Sequence, residues 1–239
     1  MELKGASALV TGAGRGIGRA IAVAIGGRGA AVTLVARTRA DLDVTAGEVR
    51  AAGGRAFVQP GDLRRRADCD TAVAAAVSNH GGLQIVVNNA GVGSHRAIAE
   101  TDDALWSDVM ETNLGAAFRV TRAALPHLTA KGGHVFMISS LAGQNAIAGM
   151  GAYCASKAAL DHFAACLMLE VRHQGVKVTT IAPGSVDTSF GRAPGDARGE
   201  SWMLTADDVA QAVVDLLAVR DAAHLSRVEM RPLRPPKRA

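Results

Sequence analysis

The chain has a single tyrosine, Tyr153, and it opens the segment Tyr153-Cys154-Ala155-Ser156-Lys157. In a helix, residues four apart share a face, which brings the Lys157 ammonium near the Tyr153 phenol. A neighbouring positive charge favours phenolate and lowers a phenol pKa from its usual value of about 10. A group tuned in this way is a general acid and base for chemistry near neutral pH. The same spacing also describes a core tyrosine beside a solvated lysine, so the surroundings must decide. Ser139-Ser140 ends a predicted strand, and a hydroxyl there can donate to a carbonyl oxygen. Asn88-Asn89-Ala90-Gly91 and Pro183-Gly184-Ser185-Val186-Asp187-Thr188 also follow predicted strands. In open α/β sheets, such strand ends share the rim where ligands bind.

A second constellation lies near the N-terminus. Ala8-Leu9-Val10 runs into Thr11-Gly12-Ala13-Gly14-Arg15-Gly16-Ile17-Gly18. A strand turning through glycines into a helix aims backbone N–H groups and the positive helix end at one point, which suits a pyrophosphate. Glycine lets the backbone approach the phosphates without a Cβ between them. The spacing differs from G-x-G-x-x-G because Ile17 holds the third glycine's place, and no Gly-Lys-Ser/Thr phosphate loop is present. NAD-selective sites put an acidic residue at the end of the second strand, to bind ribose hydroxyls. Here that strand ends Leu34-Val35-Ala36-Arg37. Arg15 and Arg37 would clamp a ribose 2′-phosphate through charge-assisted bonds, which favours NADP(H) over NAD(H).

The elements needed to position these groups are legible. Apolar runs of strand length occupy 6–10, 31–36, 56–58, 83–87, 134–138, 176–181 and 228–230. Helical patterns lie between them at 16–28, 40–52, 66–79, 102–129, 152–174 and 206–218. Asp41 and Thr205 are N-cap candidates. Gly29, Gly53 and Gly175 sit just past helix ends, where a left-handed residue is often required. Alternation of this kind predicts an α/β fold, a Rossmann-type doubly wound parallel sheet with helices on both faces. No linker or repeat divides residues 1–239, so one domain is expected. Residues 185–203 hold Gly191, Pro194, Gly195 and Gly199 and read as a loop on the substrate side.

Composition excludes several classes. The chain has 239 residues, of which 49% are apolar and 20% charged, so it is globular rather than disordered or collagen-like. Only 3% are aromatic, so the core must be built from Ala, Val, Leu and Ile. The formal net charge is +4, but basic residues are scattered apart from Arg64-Arg65-Arg66 and the tail from Arg231 to Arg238. Neither run is interleaved with aromatics, so a nucleic-acid partner is not expected. Cys69, Cys154 and Cys166 show no metal-ligand spacing, and no metal is expected. Reduced thiols, a first segment without an apolar signal core and the lack of any membrane-length apolar stretch point to a soluble, cytoplasmic protein.

Taken together, the order and spacing of these motifs resemble the short-chain dehydrogenase/reductase family, over nearly the whole chain from Thr11 to Thr188. The resemblance implies a single Rossmann-type domain with a seven-stranded parallel sheet, and hydride transfer between a nicotinamide and an alcohol or carbonyl. It assigns proton donation to Tyr153, and ribose holding and tuning of Tyr153 to Lys157. Carbonyl orientation falls to Ser140, and support of a proton relay to Asn113 in Glu111-Thr112-Asn113-Leu114. It places Gly12, Arg15, Gly16, Ile17 and Gly18 at the pyrophosphate turn, Arg37 at the 2′-phosphate, and Asp62 and Leu63 at the adenine. Asn89, Ala90 and Gly91 would line the adenine-ribose side. Pro183, Gly184, Val186 and Thr188 would meet the nicotinamide end, together with Tyr153 and Lys157. Family members of this layout pair their two long helices across a dimer interface, usually within a tetramer, so a homotetramer is expected and a dimer is the alternative.

Substrate walls are expected at 92–97, 141–150 and after Thr188, with Ile147, Met150, Phe190, Trp202 and Met203 suiting an apolar ketone or aldehyde. His95, Arg96, Arg192 and Arg198 would instead meet an anionic group. Many members resemble 3-oxoacyl-acyl-carrier-protein reductases, which typically finish in Val-x-Gly-Gly. This chain ends in Arg227-Val228-Glu229-Met230-Arg231-Pro232-Leu233 and a basic Pro-rich tail. A general NADPH-dependent carbonyl reductase is therefore the first reading and the acyl-carrier or acyl-thioester reductase the second. A dinucleotide sensor without turnover is a remote third, since Ser140, Tyr153, Lys157 and Asn113 are all in place.

Overall fold

A computed structural model describes residues 1–188, 190 and 202–236. The first half builds β1 (Ser7–Thr11), α1 (Gly16–Gly26), β2 (Ala31–Ala36), α2 (Arg39–Ala51), β3 (Arg55–Pro60), α3 (Arg66–His80) and β4 (Ile85–Asn88). The second half builds α4 (Asp103–Met110), α5 (Ala116–Lys131), β5 (Gly133–Ile138), α6 (Gly151–Val171), β6 (Val176–Pro183), α7 (Ala206–Ala218) and β7 (Arg227–Met230). The strands form one sheet in the order β3-β2-β1-β4-β5-β6-β7, and all pairs are parallel. The seven expected strands are therefore present. The chain winds outward from β1 to β3, then restarts at β4 and winds the other way. That reversal leaves a crevice beyond the ends of β1 and β4, the switch point where such sheets bind ligands.

Strand side chains alternate between two cores. Ala8, Val10, Val32, Leu34, Phe136 and Ile138 face a layer shared with α1, α2 and α7. Leu9, Val35, Val135 and Met137 face the opposite layer with α3, α5 and α6. Both faces are dry, which is why β1, β4 and β5 read as continuous apolar runs. Each fully buried Leu or Ile contributes about 1.5–3 kcal/mol relative to exposure.

Local signals explain the element ends. Thr205 caps α7 by accepting from the Asp208 N–H, and the Asp208 carboxylate accepts from the Thr205 N–H in return, a complete capping box. Gly29, Gly53 and Gly175 adopt φ of +94°, +87° and +75°, as expected. Asp41 is not the N-cap of α2: Thr38 holds that position and Asp41 lies in the first turn. The expected helix 102–129 is not continuous either. Its α4 and α5 halves are separated by a π turn over Glu111–Gly115. Asn113 is the buried residue of that turn, and π turns of this type recur at functional sites. Of the loop 185–203, residue 189 and residues 191–201 lie outside the described residues, as do Arg192 and Arg198.

Candidate active site

The glycine turn is held to the β4 end by a dense set of bonds. Thr11 Oγ1 accepts from the N–H groups of Asn89 and Ala90 at 2.9 and 3.0 Å. Asn89 Nδ2 donates to the carbonyls of Thr11 and Gly12 at 2.9 and 3.2 Å. Gly12 has φ +64°, and a Cβ there would lie 2.8 Å from Asn89 Nδ2, so both conformation and space demand glycine. Gly18 packs against the Gly12 carbonyl and does not line the cavity; it holds the turn from behind.

Gly12, Gly14, Arg15, Gly16 and Ile17 open one end of a cavity of about 1360 Å³. Arg37, Asp62, Leu63, Asn89, Ala90 and Gly91 continue its wall. Arg15 and Arg37 are exposed and line this same end. The Asp62 carboxylate is held by Arg64, whose Nε lies 3.0 Å from Oδ1, and this pairing drives its pKa down to about 2. Arg64 also reaches Asp108 Oδ1 at 2.6 Å. Each residue of the exposed run Arg64-Arg65-Arg66 pairs with an acid, Arg65 with Asp68 and Arg66 with Asp70, and Arg64 also lines the cavity wall.

The far end of the cavity gathers the residues that could do chemistry. Ser140, Tyr153, Lys157, Pro183, Gly184, Val186 and Thr188 all line it. Ser140 follows β5 and caps a short turn, its Oγ accepting from the Ala142 N–H at 3.1 Å. Tyr153 and Lys157 lie in the first two turns of α6, with Lys157 Nζ 5.8 Å from the phenol ring centre. The ammonium is 4% exposed and donates to the Ile138 carbonyl at 2.8 Å. Burial pushes its pKa down to about 8, and Asp161, one turn further along α6, acts against that fall.

The Tyr153 phenol does not follow the expectation of a lowered pKa. Burial raises it, and the hydrogen bond from Ser140 recovers only part of the rise. The physical reason is that the phenol is as desolvated as the ammonium meant to tune it. Asn113 also departs from the simplest expectation, because it stands behind the cavity rather than on its wall. Its Oδ1 accepts from Val92 N at 2.7 Å, and its Nδ2 donates to Val92 O at 3.0 Å and Ser156 Oγ at 2.9 Å. It thereby ties the segment after β4 to α6.

Leu141, Gln144, Asn145, Ala146, Ile147 and Met150 enclose the far end, with Phe190 and Trp202 opposite. The Phe190 ring lies 5.7 Å from that of Tyr153. Met203, His95 and Arg96 do not line the cavity. The C-terminal tail does, through Arg231, Pro232, Pro235 and Pro236. No motif marks those residues. Their only signal was topological, since a parallel final strand must deliver the chain after Met230 to this rim.

Residues 6–198 match the family model described as short chain dehydrogenase. A 3-oxoacyl-acyl-carrier-protein reductase of Pseudomonas aeruginosa is 35% identical over 239 residues, covering 95% of this chain and 95% of that protein. A metagenomic short-chain oxidoreductase solved in complex with NADP superposes with TM-score 0.87 at 35% identity, covering 98% of this chain and all of that one (100%). An alcohol dehydrogenase from Thermococcus sibiricus, complexed with 5-hydroxy-NADP, gives TM-score 0.90 at 28% identity, covering 98% and 99% of the two chains.

Proposed function

From a chain that belongs to the short-chain dehydrogenase family, we propose an NADP(H)-dependent carbonyl reductase that converts a ketone or aldehyde reversibly to an alcohol. The observation that carries this reading is one continuous cavity, with the glycine turn and two arginines at one end and Ser140, Tyr153 and Lys157 at the other. The residues present fit a dinucleotide phosphate. Gly12, Gly14 and Gly16 line one end of the cavity without side chains, and Arg15 and Arg37 on the same wall would supply the cations that a 2′-phosphate requires. Solved relatives carry NADP or its 5-hydroxy derivative.

Bound NADPH supplies the hydride. The chain's own residues do the rest. The Ser140 and Tyr153 hydroxyls take the substrate oxygen between them and stabilise the charge that grows on it. Tyr153 Oη gives up its proton to that oxygen. Lys157 keeps a positive charge beside the phenolate that results and holds the ribose of the nicotinamide. Asn113 braces the loop after β4 against α6 and supports the relay that restores the proton. Leu141, Ile147, Met150, Phe190 and Trp202 exclude water and suit an apolar substrate body.

A second substrate reading, reduction of a 3-oxoacyl thioester, draws on the Pseudomonas aeruginosa relative. The Pro-rich stretch after Met230, where 3-oxoacyl-acyl-carrier-protein reductases typically have Val-x-Gly-Gly, favours the general reductase. Three free thiols fit a reducing compartment, so we place the enzyme in the cytoplasm. We also propose a homotetramer built through the outer faces of α5 and α6, where Phe118 and Leu169 are exposed.

Fluorescence titration with NADPH and NADH, followed by turnover of a carbonyl panel that includes an acetoacetyl thioester, tests the reading. Preferred NADPH binding and turnover of several ketones are expected, and NADH preference would remove the roles given to Arg15 and Arg37. Tyr153→Phe should lower kcat about 100-fold or more with NADPH affinity within a few-fold of wild type. Activity that survives the substitution would show that Tyr153 is not the acid.

A further inference from the structure

Three consecutive residues at the end of β5 meet three residues of α6. The Ile138 carbonyl accepts from Lys157, the Ser139 hydroxyl faces the Asp161 carboxyl, and the Ser140 hydroxyl faces the Tyr153 phenol. Residues 153, 157 and 161 are spaced by four, so they form one row along the helix. Two members of that row belong to the site described above. The third, Asp161, has no role in it.

Asp161 is deeply set. Its side chain is 7% exposed, and Oδ2 pairs with Arg227 Nη2 at 3.0 Å. Arg227 opens β7, two strands away from β5. Asp161 Oδ1 and Ser139 Oγ are both buried and complete no well-formed hydrogen bond among the described residues, although they face each other. The carboxylate also lies close to the turn capped by Ser140: a Cβ added at Gly143 would lie 3.0 Å from Oδ2. A buried ammonium facing one carbonyl dipole is poorly compensated and needs a counter-charge. Asp161 is the only carboxylate on the row, one helical turn from Lys157, and its Oδ2 already pairs with Arg227.

We propose that Asp161 is a positioning residue: it supplies the counter-charge that keeps Lys157 protonated and, through Arg227, locks the α6 row in register with the end of β5. The inference rests on the reading of Ser140, Tyr153 and Lys157 as the reacting set. The groups around Lys157 are Tyr153 and Asp161 on α6, the Ile138 carbonyl of β5, and Asn113 beside Gly91 after β4. Around Asp161 stand Ser139 of β5, Arg227 of β7 and Lys157 itself.

The test reads Lys157 directly. The chain has five lysines, Lys4, Lys131, Lys157, Lys177 and Lys237, so ε-¹³C-lysine NMR of the full-length protein is tractable, with Lys157→Met assigning the signal. Asp161→Asn should lower the Lys157 titration midpoint by about one pH unit. Arg227→Met should raise it, because Asp161 is then shared with no other cation. Loosened packing alone would carry both midpoints up, toward that of a solvated lysine. A midpoint in Asp161→Asn that rises or stays put overturns the proposal. Should that variant not fold, an unmoved midpoint in Arg227→Met does so instead. Asp161→Asn should also lower kcat about tenfold at pH 7, and an unchanged kcat beside a shifted midpoint overturns the positioning role. A wild-type enzyme that turns over no carbonyl would sink the reading of the site, while the titration would still report on Asp161 and Lys157.

Discussion

Lys157 shows how much stability a buried ammonium can cost. Burial holds its ammonium at a pKa of about 8, against 10.5 for a solvated lysine. The folded chain therefore binds fewer protons than the unfolded chain between those values, and stability from this residue rises as pH climbs through that window. Below pH 8 the cost is fully present, on the order of 3 kcal/mol. Lys157→Met should be more stable than wild type at pH 7 by a similar order, and its stability should no longer climb between pH 8 and 10.5. Denaturant unfolding of both proteins at pH 7 and pH 10 checks this, and a less stable variant at pH 7 would show that the buried ammonium is fully compensated. Asp62 shows another gap between type and environment. Its place on the cavity wall accords with the resemblance carried by Gly61-Asp62-Leu63, but its clasp by Arg64 was not legible, because Arg64 reads as one of three surface arginines.

At the scale of elements, β5 carries both an acid sensor and the site. His134, in its first half, stacks on Phe136 with ring centres 4.0 Å apart and shares a 2.8 Å hydrogen bond with Thr179 Oγ1. Burial pushes its pKa down to about 3. The folded state thus refuses a proton that the unfolded chain accepts, so stability is complete above pH 6.5 and is lost as pH falls toward 3, by on the order of 5 kcal/mol. Urea midpoints measured between pH 7 and 4 should fall for wild type and fall less for His134→Gln; equal slopes would mean that other groups drive acid unfolding. The long helix expected at 102–129 illustrates the limit of periodicity. Apolar spacing continues across the π turn almost unbroken, and only the hydrogen bonds that Asn113 makes to Val92 and Ser156 give that turn its reason.

For the whole molecule, the order β3-β2-β1-β4-β5-β6-β7 places every motif loop on one rim. It also delivers the tail after Met230 to that rim, beside Pro183. The same architecture leaves the outer faces of α5 and α6 unpaired within one chain. Phe118 packs edge-on against Phe163 with Arg122 above its ring, yet Phe118 remains 42% exposed and Leu169 58%. Exposed apolar side chains grouped on neighbouring helices mark an association surface. Sedimentation at micromolar concentration should give a tetramer, and Phe118→Asp with Leu169→Asp should dissociate it. A wild-type monomer of 24.5 kDa would end this assignment.

The strand and helix pattern, the glycine turn, the Tyr153–Lys157 spacing and the Arg37 position were legible in the sequence. Each depends on local rules: period, turn chemistry or spacing along one helix. Three features were decided only by the tertiary structure: the direction of the Tyr153 pKa shift, the bracing contacts of Asn113, and the inclusion of Arg64 and the proline tail in the cavity wall. All three come from desolvation or from partners far away in the chain. Arg227 and Asp161 are 66 residues apart and meet only because the sheet closes β7 beside β6. Charge and burial depend on distance through space, and that distance is set only when the whole fold has formed.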